Sequence, residues 1–285
     1  YVYTSYYQGW VKADTVVSFD VDVLDKDMAW DQWRSWFNED EPFLVITADK
    51  YEIDSPEFEY KPLLTMGVKL KIAAETPNSY ITVLPSVGTS GTFSIENVEL
   101  PKDDKIHLGY LELTGRNLLN QAFKCQGDVY VWGGINEIRD CSSLVMDLYR
   151  CFGIEMPRDT DPQEASSTKK LNFDGLDDSQ RLELLKRVPV GCPLYMRNHT
   201  IIYLGQVDGR AFCFNSVRGF YIEDTYTNFW TTLVNPMDLY KDQENTFLSA
   251  LTTALLFGEE IEPGPGPKPD PPKPDPPKPD PPKPD

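Results

Sequence analysis

Histidine is scarce in this chain, and basic residues are few compared with acidic ones. The 285 residues include two histidines, His107 and His199. Lysine and arginine number 27 against 45 aspartates and glutamates, which gives a net charge of −18. Nucleic-acid partners are not expected, because binding a phosphate backbone requires clustered Lys and Arg. No run of 18 apolar residues occurs, so no transmembrane segment is predicted.

Cysteines are also few, and their spacing excludes two common uses. The five are Cys125, Cys141, Cys151, Cys192 and Cys213. An odd, widely spaced set in a chain of this length does not form a disulfide framework. No Cys-x-x-Cys pair is present, so a zinc ribbon is not expected either. We predict neither a metal nor any other cofactor.

The first part of the chain predicts short strands. Residues 1–24 are rich in aromatic and β-branched types around a glycine turn, and we interpret them as the end of a domain whose start is missing. In residues 25–107, Trp30, Trp33 and Trp36 lie at roughly helical spacing, which favours core packing over a ligand platform. Short strand candidates follow at intervals of about 8–12 residues and predict a small barrel.

The rest of the chain changes character twice. Residues 108–258 place helices before strands, an order typical of an α+β domain. Residues 259–285 form a Pro-rich segment. After a Pro-Gly stretch that begins at Pro263, this segment repeats Lys-Pro-Asp-Pro-Pro. Such a segment predicts either a semi-rigid polyproline II spacer of about 3.1 Å per residue or a disordered tail.

Cys141 is the strongest candidate for a reactive residue. It precedes an apolar stripe formed by Leu144, Leu148 and Phe152, and Pro157 stops any continuation of the helix. Cys141 therefore lies within one turn of a helix start, where the helix dipole and free N–H groups favour a thiolate. The alternative is a buried core cysteine, since free cysteines are often buried.

Asp140 complicates this prediction. A carboxylate beside a thiol should raise the thiol pKa. We therefore interpret Asp140 either as the N-cap of the helix or as a group that faces the ammonium of a ligand.

His199 and Asn215 are the candidate partners of Cys141. His199 opens an apolar strand, and Asn215 lies in the next strand, after a turn at residues 206–209. Antiparallel pairing would bring the Asn215 amide oxygen near the imidazole, where it could orient the ring as a catalytic histidine requires. The alternatives are a surface histidine and a turn residue at a strand end. His107 lacks a visible partner and is interpreted as structural.

Four motifs in this order resemble the NlpC/p60 family of papain-like cysteine peptidases. They are Tyr130-Val131-Trp132-Gly133-Gly134, Arg139-Asp140-Cys141-Ser142-Ser143-Leu144, Phe152-Gly153-Ile154 with Pro157-Arg158, and His199-Thr200-Ile201-Ile202-Tyr203-Leu204-Gly205. The resemblance covers residues 110–225 and implies a papain-like catalytic domain within 108–258.

The resemblance implies hydrolysis of peptidoglycan stem peptides, typically at the γ-D-glutamyl bond to diaminopimelate or lysine. It makes Cys141 the nucleophile and His199 the general base. Asn215 falls where the family commonly has a third polar residue, often histidine. Asp140 and Ser142 are expected to hold the free amine of a stem peptide, and Tyr130 to lie near the substrate cleft.

The upstream segments resemble a subgroup with two bacterial SH3-like domains before the peptidase. Residues 1–24 would be a remnant of the first domain and 25–107 the second. In relatives the first domain helps to wall the site and restricts substrates to those with a free N-terminal L-Ala, so a chain that begins at Tyr1 is expected to be either less selective or unstable. The family and the Pro-rich spacer together predict an extracytoplasmic protein, although no signal peptide is present.

Two other functions are compatible with the same residues. One is a wall-binding protein with an inactive peptidase fold, which SH3-like modules and a spacer would suit. The other keeps the fold but performs amidase or acyl-transfer chemistry. All three hypotheses share peptidoglycan or murein peptides as the partner.

Overall fold

The structure, a computed structural model, describes residues 2–3, 8–9, 41–56, 58, 61–87, 93–134, 138–167 and 169–257. Most of segment 1–24, the tryptophan-rich stretch and the Pro-rich tail lie outside these residues, so the predictions for them stay predictions. Among the described helices, none is both long and apolar enough to span a bilayer.

The described elements follow the predicted order of strands, helices and strands. The strands are β1 (Val2–Tyr3), β2 (Gln8–Gly9), β3 (Phe43–Ile46), β4 (Lys50–Glu52), β5 (Leu63–Thr65), β6 (Lys69–Glu75), β7 (Ser79–Val87), β8 (Phe93–Pro101), β9 (Ile106–Leu108), β10 (Lys170–Asn172), β11 (Pro193–Met196), β12 (His199–Val207), β13 (Arg210–Ile222), β14 (Thr225–Pro236) and β15 (Leu251–Leu255). The helices are α1 (Gly115–Phe123), α2 (Cys141–Arg150), α3 (Thr160–Ala165) and α4 (Asp178–Leu185). The predicted mixture of helices and strands is confirmed.

The N-terminal strands form an antiparallel sheet in the order β8-β7-β6-β3-β9, beside the β4–β5 hairpin. Apolar side chains of these strands form one buried cluster, which includes Leu44, Ile46, Leu70 and Leu100. The strands predicted in this segment are therefore present. Their assignment as an SH3-like domain stays a prediction.

The C-terminal sheet has six strands in the order β10-β15-β11-β12-β13-β14, and every neighbouring pair is antiparallel. Successive side chains of a strand point to opposite faces. Ile202 and Phe214 accordingly pack with α2 on one face, whereas Ile201 and Cys213 pack with α4 residues on the other. Both faces are covered, which holds the start of β12 rigidly beside α2.

The two sheets meet at α2. Val45 of β3 and Met66, in the turn after β5, lie in the same buried cluster as Leu144 and Tyr149 of this helix. Gly67, at a φ of +84°, lets the chain pass so close that an added Cβ would lie 2.8 Å from the carbonyl oxygen of Asp147 and 2.7 Å from Arg150 Cβ. The N-terminal sheet thus supports the helix that begins at Cys141.

Candidate active site

Cys141 is the first residue of α2 because Asp140 caps the helix. Asp140 Oδ1 accepts the backbone N–H of Ser143 at 2.9 Å, and Ser143 Oγ accepts the backbone N–H of Asp140 at 2.8 Å. This reciprocal capping box satisfies amide groups that have no partner inside the helix. The predicted cap is present, and it sets the helix start at the thiol.

Asp140 is further held by Arg158. The guanidinium donates to Oδ2 at 2.7 Å and to Oδ1 at 3.1 Å, and it also donates to Ser142 Oγ at 2.7 Å. Burial tends to raise the pKa of Asp140, but hydrogen bonds from Arg158 and Ser143 outweigh it, so the net pKa is lowered. Asp140 is therefore ionised and paired, and an incoming amine would have to share it with Arg158. The sequence by itself predicted no functional role for Arg158.

The Cys141 thiol is enclosed, with 8% of the residue exposed. Burial is the largest influence on the thiol pKa and raises it, and the Asp140 charge raises it further, as predicted. Hydrogen bonds from the Thr200 and Ser142 backbones and the Thr160 side chain act in the opposite direction without reversing the result. The expectation of a depressed pKa, drawn from the helix start, is therefore wrong for the thiol in this enclosed state.

His199 and Asn215 are in contact across β12 and β13. The His199 Nε2 atom lies 2.8 Å from Asn215 Oδ1. Asn215 is fully buried, and its Nδ2 donates to Asn235 Oδ1 at 3.2 Å, which directs the oxygen towards the ring. An Nε2–H donor follows, and Nδ1 is left as the proton acceptor. Asn235 was missed by the sequence analysis, because nothing in its local sequence separates it from an ordinary strand residue.

His199 is neutral at neutral pH. Burial lowers the pKa of His199 to about 4, and the Lys241 charge lowers it too, whereas the Asn215 hydrogen bond and the Asp140 charge raise it. A neutral imidazole can accept a proton from a thiol that is itself protonated. The backbone of Thr200, the next residue along β12, hydrogen-bonds to Cys141, which places this strand directly against the thiol.

Tyr130 lies beside the same group of residues. Its backbone N–H donates to the Trp230 carbonyl at 2.9 Å. Burial raises the pKa of Tyr130 to about 12, and the nearby Cys141 and Asp140 add to the effect. Tyr130 and His199 line one cavity of about 930 Å³. The structure thus brings together all six residues singled out from the sequence, while His107 lies exposed on the N-terminal sheet.

The other cysteines have packing environments. All five are buried free thiols. Cys125 forms a group with Asp49 and Asp128 whose potential ligand atoms lie within 4.8 Å of one another. Arg139 already donates to both of these carboxylates, so the group is compensated by a side-chain cation and we assign it a structural role.

Comparisons with known proteins place the C-terminal part of the chain among proteins of similar fold. The model of the NlpC/P60 family matches residues 127–235. An NlpC/P60 endopeptidase from Photobacterium damselae subsp. piscicida superposes with a TM-score of 0.64 and 20% identity, over 81% of this chain and 56% of that one. An NlpC/P60 family protein from Bacillus cereus ATCC 10987 gives a TM-score of 0.53 and 18% identity, over 79% and 66%. This chain spans less than two thirds of either structure, and at such identities the likeness establishes the fold alone. No curated protein sequence matches the chain.

Proposed function

Because residues 127–235 form an NlpC/P60 family domain, we propose that this chain is a cysteine peptidase acting on peptidoglycan stem peptides. The family consists generally of cell-wall peptidases. The observation that best supports the proposal is the hydrogen bond between His199 Nε2 and Asn215 Oδ1. Because Nε2 donates in this hydrogen bond, Nδ1 of the neutral imidazole is left as the proton acceptor. His199 lies on the same strand as Thr200, whose backbone contacts Cys141.

The proposed reaction proceeds through a thioester. Cys141 Sγ attacks the scissile carbonyl carbon while its proton passes to His199 Nδ1. The backbone N–H of Cys141, at the helix start, donates to the oxyanion that forms. The C–N bond then breaks, and His199 returns the proton to the leaving amine. Water, deprotonated by His199, hydrolyses the thioester and regenerates the thiol.

We place the scissile bond between γ-D-glutamate and the diamino acid of the stem peptide, as the family resemblance implies. Asp140 and Ser142 would bind the free amine of the acyl side, and Asp140 would then be shared between this amine and the Arg158 guanidinium, which already donates to both residues. Tyr130 would cover the same end of the cleft, since it lies beside Cys141 and Asp140.

The domain organisation that accompanies this function is also a proposal. Residues 25–107 would form an SH3-like domain and residues 108–258 the peptidase, in a protein of the cell envelope. Contacts between the N-terminal sheet and the α1 region support a single working unit, because the Thr47 carbonyl accepts hydrogen bonds from both Gln121 and Lys124.

Products of defined peptides test the reaction. We expect L-Ala-γ-D-Glu-diaminopimelate peptides to yield L-Ala-D-Glu and a free diamino-acid fragment, each identified by mass spectrometry. The same peptide with a blocked N-terminus is the control, and slower cleavage of it would support amine recognition by Asp140 and Ser142. If the blocking group is N-acetylmuramyl, cleavage at the muramyl amide would instead favour the amidase alternative, and transfer of the acyl group without hydrolysis would favour the transferase alternative.

The pH profile tests the role of His199. As a general base His199 must be neutral, and with a pKa of about 4 it stays neutral at pH values well below those of an ordinary histidine. We therefore expect kcat/KM to fall only as the pH drops through about 4. Lys241→Gln removes a charge that lowers this pKa, so its acid limb should move to higher pH. An acid limb near 6.5 in the wild type (the ordinary histidine pKa), unchanged in Lys241→Gln, would contradict this role.

A further inference from the structure

A buried arginine at the junction between the N-terminal sheet and the NlpC/P60 domain serves three carboxylates at once. Arg139 is 3% exposed. Its Nη1 donates to both Asp49 and Asp128, and its Nε donates to Asp147 at 2.8 Å. Asp49 follows β3 of the N-terminal sheet, whereas Asp128 precedes the segment that carries Tyr130. One positive charge therefore faces three groups that are negative when ionised, and two of these groups meet across the junction.

Asp49 and Asp128 lie close enough to interact directly. Their carboxyl oxygens and Cys125 Sγ lie within 4.8 Å of one another, and the two carboxyl groups are in hydrogen-bonding contact. An ionised carboxylate only accepts hydrogen bonds, so a hydrogen bond between two carboxyl groups requires that one of them carries a proton. This Asp49–Asp128 pair is thus arranged to share one proton.

The backbone at each aspartate of the pair is held in place. The Asp49 carbonyl accepts the Met66 N–H and Arg139 Nη2, both at 3.1 Å. The Asp128 carbonyl accepts the Thr232 N–H at 2.8 Å, which fixes this residue to β14. Two ionised carboxylates so close together repel each other. Because the fixed backbones limit how far the carboxylates can separate, protonation of the pair relieves the repulsion more readily than movement does.

The groups around the pair do not cancel its negative charge. Burial raises the pKa of Asp128, and the Asp49 charge raises it further. The Arg139 and Lys50 charges oppose this effect without reversing it. Burial also raises the pKa of the Cys125 thiol, so this neighbour is neutral and donates to Asp49 Oδ1 at 3.4 Å. The titratable and charged groups that face the pair are Lys50, Cys125, Arg139 and Asp147.

A raised pKa at Asp128 has a defined effect on stability. The folded chain binds this proton more tightly than the unfolded chain, in which the aspartate has an ordinary pKa. The contribution of the pair to the free energy of unfolding is therefore fully present in acid, below the ordinary aspartate range. It is lost as the pH rises through the raised pKa of Asp128.

We propose that the Asp49–Asp128 pair is a proton-dependent clasp that joins the N-terminal sheet to the NlpC/P60 domain most tightly in acid. Loss of the shared proton leaves three ionised carboxylates around Arg139 and weakens the junction. Asp128 leads into the segment of Tyr130, so the clasp acts beside the candidate cleft and not on the reacting groups. Such a clasp works whether or not the chain hydrolyses peptides, and it therefore goes beyond the proposed function.

Asp128→Asn tests the clasp, because asparagine is neutral and its amide can donate to Asp49 in place of the shared proton. Urea unfolding of the full chain would be compared at about pH 4 and about pH 8, on either side of a raised aspartate pKa. We expect the unfolding equilibrium constant of the wild type, relative to that of the variant, to increase at least about threefold over this range. The Asp128 carboxyl carbon, followed by NMR in the wild type, measures the same proton directly and is decisive even if the variant does not fold.

Asp238→Asn is the matched control. Asp238 pairs with Arg210 at 2.7 Å outside the junction, and its replacement removes the same single charge from a chain with a net charge of −18. We expect no such increase for this variant. An Asp128→Asn effect that does not change with pH, an equal effect in Asp238→Asn, or a wild-type Asp128 carboxyl that titrates in the ordinary aspartate range would overturn the clasp. These measurements use no substrate, so failure of the clasp is distinguishable from failure of the proposed function.

Discussion

Replacing Cys141 with alanine is expected to reduce the release of peptides from purified peptidoglycan by at least about 10⁴-fold. Loss of a nucleophile removes the covalent step, and losses of this size accompany the removal of such residues. Mass spectrometry of soluble fragments provides the measurement. The variant should still fold, because the helix cap is formed by Asp140 and Ser143 and not by the thiol.

Cys151→Ala is the control for this experiment, since Cys151 lies at the other end of the same helix. It is fully buried, and its Sγ atom contacts the Ile46 carbonyl at 3.8 Å and the Gln121 amide at 3.5 Å. We expect activity close to that of the wild type, with a modest loss of stability. Equal losses in both variants, or no loss in either, would refute Cys141 as the nucleophile. A wild-type chain that binds peptidoglycan and releases nothing would favour the wall-binding alternative.

Slow alkylation of Cys141 by iodoacetamide would not by itself favour an inactive protein. Burial and the Asp140 charge raise the pKa of this thiol. A protonated resting thiol is compatible with catalysis if His199 removes the proton as the substrate is attacked. The pH profile and the loss in Cys141→Ala are therefore the decisive measurements.

Arg139→Met is expected to lower the free energy of unfolding by about 3–5 kcal/mol, the range found when one partner of a buried ion pair is removed. Arg139 is 3% exposed. Its Nε donates to Asp147 at 2.8 Å, and Nη1 donates to both Asp49 and Asp128. Methionine keeps most of the apolar volume, so the expected loss comes from three carboxylates that lose Arg139, although Asp147 still pairs with Arg150 at 3.5 Å.

Arg139 has a structural consequence as well. Asp49 follows β3 of the N-terminal sheet, Asp128 lies just before the first of the four family-like motifs, and Asp147 lies within α2. The Arg139 side chain therefore joins three parts of the chain. Denaturant unfolding measures the effect, with Arg210→Met as the control. Arg210 pairs with Asp238, and both side chains are about half exposed, so its loss should change the free energy of unfolding little. A similar, small effect in both variants would show that the Arg139 network does not stabilise the fold.

The local features of the site follow from short-range patterns that a sequence displays. A carboxylate before Cys141 and an apolar stripe after it are sufficient to predict a capped helix that starts at the thiol, and the helix is found there. The turn between His199 and Asn215 is likewise local: Asp208 and Gly209 both have positive φ, as a tight hairpin requires. Antiparallel pairing then brings His199 and Asn215 together.

Other features were mispredicted or missed because they depend on residues far apart in the chain. No local pattern in the sequence shows that β13 runs without interruption from Arg210 to Ile222, because its pairing with β14 shifts register between Val217 and Gly219. Helix α3 is short, and no side-chain hydrogen bond caps its start. The partners of Arg139 include an aspartate 90 residues away, and no local pattern pairs them.

The sequence by itself therefore predicted the resemblance of residues 110–225 to the NlpC/p60 family, the α+β order and the position of Cys141 at a helix start, since capping, periodicity and motif order are all properties of neighbouring residues. Only the tertiary structure decided the protonation states and the surroundings of the site. The pKa of the thiol is raised and that of His199 is lowered to about 4 because both groups are buried. Burial is produced by the packing of α2 between two sheets, and Arg197 and Arg218 line one cavity with His199 only because the strands fold around it.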